Sequence, residues 1–123
     1  MNSRKSVMVC VTGQKNCSRL IDRGKTRIAP NGTLYIVNCI QNGKNFLDAA
    51  SEADAAQYLF SAAQTAGGEL YMLRCDDVDA ALFQFASDRG VDLIIMERGR
   101  IGRSDGVIRL QRRLPGVEFE VVE

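Results

Sequence analysis

A loop rich in glycine and arginine, from Glu97 to Gly106, carries the residue types best suited to bind a phosphate. Its glycines let the backbone approach an anion closely, and the start of the helix predicted to follow offers N–H donors without partners. Its arginines add charge-assisted hydrogen bonds. The same composition also fits a polar connection with no ligand, so both interpretations stay open. The candidate phosphate-binding residues are Gly99, Arg100, Gly102, Arg103, Ser104 and Gly106.

Several kinds of chemistry are excluded by what the sequence lacks. The chain contains no histidine, so neither a Ser-His-Asp nor a Cys-His mechanism, nor a zinc site with imidazole ligands, can form within it. A P-loop pattern and a GxGxxG pattern after the first strand are also absent. Because no nucleophile stands beside an evident base, we expect no catalytic residue, no structural metal and no enzymatic activity.

The four cysteines, at positions 10, 17, 39 and 75, contain no CxxC pair. In a reducing compartment we expect free thiols. If the second and third strands are neighbours, Cys39 and Cys75 would lie close together, as in a redox pair or a soft-metal site. Ordinary packing of small residues in the core is the other explanation.

Strand and helix patterns alternate along the whole chain. Short apolar, β-branched runs predict strands, and stripes of apolar residues at helical spacing predict helices. The predicted strands are Ser6–Val11, Thr33–Ile40, Glu69–Arg74, Asp92–Met96 and Val117–Val122, and the predicted helices run from a cap at Asn16 or Ser18 to about Ala29, from Phe46 to Ala66, from a cap at Asp76 to Gly90, and from Val107 to Leu114. Pro30-Asn31-Gly32 is predicted to end the first helix and turn the chain.

Five strands alternating with four helices predict one doubly wound α/β domain, covering residues 1–123, with a parallel sheet covered on both faces. Ligands of such sheets bind outside the carboxyl ends of the strands, where the strand order reverses. Thr12-Gly13, Asn38-Cys39 and the glycine loop stand at predicted carboxyl ends. We therefore expect a binding site at this edge of the sheet.

The net charge is only +1, which argues against a dedicated nucleic-acid binder, but the charges are segregated. Residues 1–45 carry eight Lys/Arg and one Asp, and residues 46–92 carry two Arg and nine Asp/Glu. Either solvated faces or one phosphate-attracting end explains this distribution. No apolar run is long enough to cross a membrane, and the apolar stretch near the N-terminus is too short for a signal peptide, so we expect a cytoplasmic protein.

From about Ser6 to Val122 the sequence resembles the universal stress protein family. The resemblance rests on VMVCVTGQKNCSRLI, on CDDVDAALFQFASDRGVDLIIM, and on Gly99-x-x-Gly102 after the fourth strand. The segment from Ser18 to Ile21 and the run from Arg112 to Val117 are most similar to the stress-protein-like domain of the potassium sensor histidine kinases. The resemblance implies a sheet in the order 3-2-1-4-5, often an ATP or AMP site, and often a homodimer.

On this resemblance Thr12 and Gly13 would line the floor of a nucleotide pocket, Asn38 and Cys39 would lie along the adenine, and the glycine loop would hold phosphates. Two departures predict a degenerate site. The nucleotide-binding branch has Asp where Thr12 stands, and its Gly-Ser/Thr nine residues beyond the second glycine is replaced here by Arg112-Arg113. Ser104 to Gly106 would stand in for the missing turn.

The sequence thus predicts a stress-response or signalling module with a degenerate adenine-nucleotide (ATP or AMP) site. The alternative is a regulatory interaction module that binds no nucleotide and acts through a dimer or a signalling partner. A hydrolase or transferase of the related adenine-nucleotide superfamily would need a set of metal-binding or catalytic residues that we do not find in the sequence. The predicted homodimer pairs Val117–Val122 across a two-fold axis. Because Glu118 and Glu120 share a face, we expect either a pairing shifted toward the C-terminus or a weak dimer.

Overall fold

The computed structural model describes residues 4–11, 17–41, 49–97 and 104–122. Within these ranges the predicted alternation of strands and helices is confirmed. The elements are β1 (Arg4–Val11), α1 (Cys17–Arg27), β2 (Ile28–Gln41), α2 (Ala49–Ala66), β3 (Glu69–Cys75), α3 (Val78–Arg89), β4 (Leu93–Glu97), α4 (Ser104–Arg113) and β5 (Glu118–Val122).

All five strands form one parallel sheet in the order β3-β2-β1-β4-β5, as predicted. β1 lies at the centre, with Val9 opposite Ile36 of β2 on one side and opposite Ile95 of β4 on the other. The chain first extends the sheet from β1 to β3, then returns to add β4 and β5 on the far side. The strand order therefore reverses between β1 and β4, and doubly wound sheets bind their ligands in a crevice at such a point.

Each face of the sheet carries its own apolar core, because successive strand residues point to opposite faces. Val7 and Val9 of β1 pack with α1 and α2, while Met8 between them packs with α3 and α4. All three side chains are fully buried. Burial on both faces explains why the central strands read as continuous apolar runs rather than as alternating patterns.

Gly24 lets α1 lie unusually close to the sheet. A Cβ atom at this position would stand 2.6 Å from Cγ2 of Val9 and 2.8 Å from Cδ1 of Leu34. Both distances are shorter than any ordinary contact between carbon atoms. Glycine costs helix propensity in a helix interior, and the close approach of helix to sheet explains its presence here.

The segment Pro30–Gly32 lies inside β2 and does not form the turn that we predicted. The first helix ends at Arg27, and β2 begins at once with Ile28. Arg4 pairs with Ile28, but Ser6, two residues later, pairs with Thr33, five residues later. The extra residues of β2 form an irregularity at the amino end of the strand, which absorbs a proline that a regular ladder would exclude.

Helix α3 begins one residue later than predicted and ends where predicted. Its N-cap is Asp77, whose Oδ1 accepts a hydrogen bond from the Ala80 backbone N–H at 3.3 Å. The predicted cap, Asp76, lies outside the helix. Gly90 closes the helix in the left-handed conformation, with φ of 61°, and its N–H reaches the carbonyl oxygens of Ala86 and Ser87.

Several other boundaries differ from the predictions, among them the start of β1 at Arg4 rather than Ser6 and the end of β3 at Cys75 rather than Arg74. β4 covers Leu93–Glu97, one residue beyond the predicted Asp92–Met96, and β5 begins at Glu118 rather than Val117. α4 begins at Ser104, three residues before the predicted start at Val107. The predicted start of the second helix at Phe46 lies outside the described residues. Among the helices that the structure describes, none has the length and apolar composition needed to cross a membrane.

Candidate functional site

The point where the strand order reverses lies at the carboxyl edge of the sheet, between the ends of β1 and β4. α1, which follows β1, packs on one face of the sheet, and α4, which follows β4, packs on the other. The segments that connect these strands to their helices, residues 12–16 and 98–103, lie outside the described residues. Six predicted site residues fall within them: Thr12, Gly13, Gly99, Arg100, Gly102 and Arg103.

Ser104 and Gly106 belong to the first turn of α4, and not to a loop before it as predicted. The first backbone N–H groups of a helix have no partner within the helix, and the helix dipole places partial positive charge at that end. The glycine loop therefore leads directly from the carboxyl end of β4 into a helix start. This order of strand, glycine loop and helix is the arrangement that phosphate-binding sites of α/β proteins use.

Asn38 and Cys39 lie at the carboxyl end of β2 but point to opposite faces of the sheet. Asn38, 7% exposed, stands opposite Val11 of β1. It alternates with Val37, which packs on the α3 and α4 face, as Cys39 also does. The structure therefore does not place the two side chains on the same side of a ligand pocket. Of the pair, Asn38 lies on the α1 face, beside Val11 at the carboxyl end of β1.

Cys10, Cys39 and Cys75 lie on the α3 face of the sheet, close to its carboxyl edge. The thiols of Cys39 and Cys75 hydrogen bond to each other. Burial, the charge of Cys75 and this hydrogen bond raise the pKa of Cys39 to about 12. Burial also raises the pKa of Cys75, although the hydrogen bond from Cys39 opposes that rise. The predicted proximity of Cys39 and Cys75 is thus confirmed.

Within the described part of the chain, no three cysteine, aspartate or glutamate side chains come together as a metal site requires. The two thiols therefore have no third ligand of these types among the described residues.

A cluster of ion pairs at the opposite, amino edge of the sheet explains part of the charge segregation. Arg27 at the end of α1 and Arg4 at the start of β1 both bind Glu118 of β5, at 3.0 and 2.7 Å. Arg27 and Arg23 also bind Glu120. Three basic residues of the first third of the chain thus neutralise acids of the last strand, so they do not form a phosphate-attracting end.

Sequence analysis missed this cluster, although two features pointed to it. Basic residues were concentrated in α1, and glutamates recurred at Glu118 and Glu120, which places both on one face of a strand. An open groove of about 480 Å³ continues from the cluster between α1 and β5. It is lined by Arg19, Asp22, Arg23, Thr26, Glu120, Val121 and Val122.

The sheet order and the four helices match the fold of the universal stress proteins. A universal stress protein solved in complex with cAMP is 19% identical to this chain, with 98% of each chain covered and a TM-score of 0.63. A universal stress protein from Archaeoglobus fulgidus is 13% identical, covering 98% of this chain and 95% of its own, with a TM-score of 0.65.

A structure of the universal stress protein from Archaeoglobus fulgidus in complex with dAMP is 14% identical, with full coverage of both chains and a TM-score of 0.60. At these identities the similarity shows the fold. No protein-family model matches the chain, and no curated protein matches it in sequence.

Proposed function

We propose that this chain is a stress-response or signalling module of the universal stress protein type that binds an adenine nucleotide at the carboxyl-edge crevice. One observation carries the proposal: β4 leads through Gly99-x-x-Gly102 into the start of α4, beside the point where the strand order reverses. Two proteins with this fold were solved with the adenine nucleotides cAMP and dAMP. Both ligands combine an adenine base with a phosphate group.

In the proposed complex the phosphate lies against the glycine loop and the first turn of α4. Backbone N–H groups from Ser104 onward would donate to its oxygens, and Arg100 and Arg103 would add charge. Thr12 and Gly13 would form the floor between the two diverging segments. Asn38, at the end of β2 on the α1 face, would present its amide toward the adenine. Cys39 points away and is the weakest of the predicted contacts.

The proposed site is degenerate, and we infer binding of AMP or ATP at reduced affinity. Thr12 stands where the nucleotide-binding branch of the family has Asp, so one charged group is missing from the floor. Arg112 and Arg113 replace the second glycine motif of that branch. We further propose that the module binds without catalysing a reaction, since the chain has no histidine to serve as a base near the phosphates.

A second candidate function is regulation through pairing at the edge strand β5. Within the described sheet β5 is bonded only to β4, so its other edge is open to a second copy of the chain or to a signalling partner. The glutamates that disfavoured a symmetric pairing are neutralised by arginines of their own chain. We propose a homodimer through Val117–Val122 on this ground. The relationship of this chain to the potassium sensor histidine kinases and its cytoplasmic location remain predictions.

The two candidates are separated by mass spectrometry of protein purified without added ligand. Denaturation releases any bound small molecule, and an adenine nucleotide in the released fraction supports the first candidate. Titration with AMP, ATP and GMP then measures selectivity for adenine. A protein that is purified without a nucleotide and binds none of these nucleotides at millimolar concentration would contradict nucleotide binding. That result would favour the second candidate, the interaction module.

A further inference from the structure

Cys10, Cys39 and Cys75 form a diagonal row across three adjacent strands. Cys10 of β1 is paired with Val37, two residues before Cys39 on β2. Cys39 in turn is paired with Leu73, two residues before Cys75 on β3. Each step moves one strand outward and two residues toward the carboxyl edge, and a two-residue step keeps the side chain on the same face. We call these three residues the thiol row.

Within the thiol row, only Cys39 and Cys75 are joined by a hydrogen bond. This hydrogen bond raises the pKa of Cys39 and opposes the rise that burial causes in the pKa of Cys75, as expected when Cys39 donates and Cys75 accepts. From this contact, and from the position of both residues at the ends of neighbouring strands, we propose that Cys39 and Cys75 form a reversible dithiol–disulfide pair at the carboxyl edge of the sheet.

The geometry permits the bond with a small movement of β3. In a parallel pair, with strands about 4.8 Å apart and a rise of about 3.3 Å per residue, residues offset by two lie roughly 8 Å apart between Cα atoms. This separation exceeds the range of about 4.4–6.8 Å found in disulfides, so the backbone must move. Cys75 is the last residue of β3 and is followed by a bend at Asp76. Bonding to Cys39 would draw Cys75 back along β2 and disturb its pairing with Gln41, while the pairing of Leu73 with Cys39 can stay in place.

This movement would reach the start of α3. Asp77 caps that helix and is separated from Cys75 by only one residue. A bond that moves Cys75 toward Cys39 also moves the bend at Asp76 and the cap at Asp77. The pair would thus change the surface at the carboxyl edge, on the α3 face, in response to oxidation.

The oxidant in the proposed step is a hydroperoxide, here hydrogen peroxide. The Cys75 thiolate attacks one peroxide oxygen, the O–O bond breaks, and the other oxygen leaves as hydroxide and is protonated to water. Cys75 is then a sulfenic acid. The Cys39 sulfur attacks the Cys75 sulfur, the S–O bond breaks, and the leaving hydroxide takes the proton of the Cys39 thiol. In sum, two thiols and one hydrogen peroxide give one disulfide and two waters.

Cys75 is the better first nucleophile of the pair. It accepts the hydrogen bond, so its thiolate is the more stabilised of the two. The acidic neighbours Asp76 and Asp77 nevertheless raise its pKa, and burial raises it further. The thiolate is therefore a minor form near neutral pH, and we expect oxidation to accelerate as the pH rises.

Oxidation is tested on the full chain by peptide mapping. The protein is treated with hydrogen peroxide, remaining thiols are alkylated, and trypsin then releases Cys39 in residues 28–44 and Cys75 in residues 75–89. We expect a cross-linked species of these two peptides, two hydrogens lighter than their sum. We also expect alkylation of Cys75 to fall roughly tenfold. Dithiothreitol should restore it, since a strained disulfide is reduced readily.

Cys10→Ser is the matched control, because it removes the third thiol of the row and leaves the pair intact. It should retain the cross-link, and Cys75→Ser should abolish it while leaving the circular dichroism melt near that of wild type. A dominant Cys10–Cys39 cross-link would overturn the proposal. So would oxidation of Cys75 that stops at the sulfinic or sulfonic acid, or thiols that cross-link only after the chain unfolds.

Discussion

Nη2 of Arg27 donates hydrogen bonds to both carboxylate oxygens of Glu118, each at 3.0 Å, and so joins the last residue of α1 to the first residue of the edge strand. Nη1 of the same guanidinium also binds Glu120. Arg27 is largely buried, with 14% of its side chain exposed. The arginine therefore fixes the position of α1 relative to the edge strand β5.

The first prediction concerns the acid side of the stability profile. The hydrogen bond from Arg27, aided by the charges of Arg27 and Arg4, holds the pKa of Glu118 below its usual value. Its contribution to stability is complete above the pKa of the unfolded chain and is lost as the pH falls through the lower pKa of the folded state. Urea unfolding of wild type should show stability declining in this acid range.

The control is Glu118→Gln, which cannot titrate at this position. The variant should be less stable than wild type at pH 7, and the difference between the two should shrink as the pH falls below the folded pKa of Glu118. A difference that stays constant from pH 7 into the acid range would show that the ion pair does not have the assigned role.

The second prediction concerns the close contact between α1 and the sheet. Gly24→Ala places a methyl group against Cγ2 of Val9, a β-branched side chain that cannot easily rotate away. Overpacking should destabilise the fold by about 1–3 kcal/mol despite the better helix propensity of alanine. Gly116→Ala is the matched control, since a Cβ there meets open space. Equal thermal melts of the two variants would contradict the packing.

The third prediction separates two adjacent aspartates. Asp77→Ala removes the side chain that caps α3 and should destabilise the protein by about 1 kcal/mol. Asp76→Ala leaves the cap in place and should cost less. Chemical denaturation of both variants measures the difference. A larger loss of stability in Asp76→Ala would indicate that Asp76 is the N-cap, as the sequence predicted. It would contradict the assignment of Asp77 from the structure.

The fold was predictable because local sequence patterns mark its strands and helices. Apolar runs, glycine stops and the alternation of strands with helices predicted one parallel sheet, and Gly90 ends α3 as predicted. The boundaries that failed depend on tertiary contacts. Pro30–Gly32 reads as a turn in isolation, yet pairing of Ile28 with Arg4 extends β2 through it. Likewise, adjacent aspartates carry equal capping propensity, and the backbone conformation at Asp77 decides between them.

The candidate site was less predictable than the fold. Strand alternation alone would have separated Asn38 from Cys39, because consecutive residues point to opposite faces. The contact between Cys39 and Cys75 requires β2 and β3 to be adjacent strands. The sequence indicated that adjacency only through its resemblance to the universal stress proteins. The ion pairs of Glu118 join residues 91 and 114 positions apart. No local pattern specifies which arginine meets which glutamate over such a distance.

The fourth prediction tests pairing at β5. The N–H of Glu118 is donated to Asp92, toward β4, so the N–H of Val121 points to the open edge. Val121→Pro removes that outward donor while leaving the bonds to β4. We expect the variant to be monomeric by light scattering, whereas the control Val121→Ala, which keeps the N–H, should remain a dimer. A wild type that is monomeric at high concentration would refute the dimer.

The central claim is the adenine-nucleotide site, and calorimetric titration of AMP into two glycine variants tests it most directly. Gly102→Val places a side chain in the proposed phosphate loop, and Gly116→Val places the same side chain before the amino end of β5, at the opposite edge of the sheet. The account predicts that Gly102→Val weakens AMP binding at least about tenfold, or about 1.4 kcal/mol, while Gly116→Val binds as wild type does. Equal AMP binding by wild type and both variants would contradict the site.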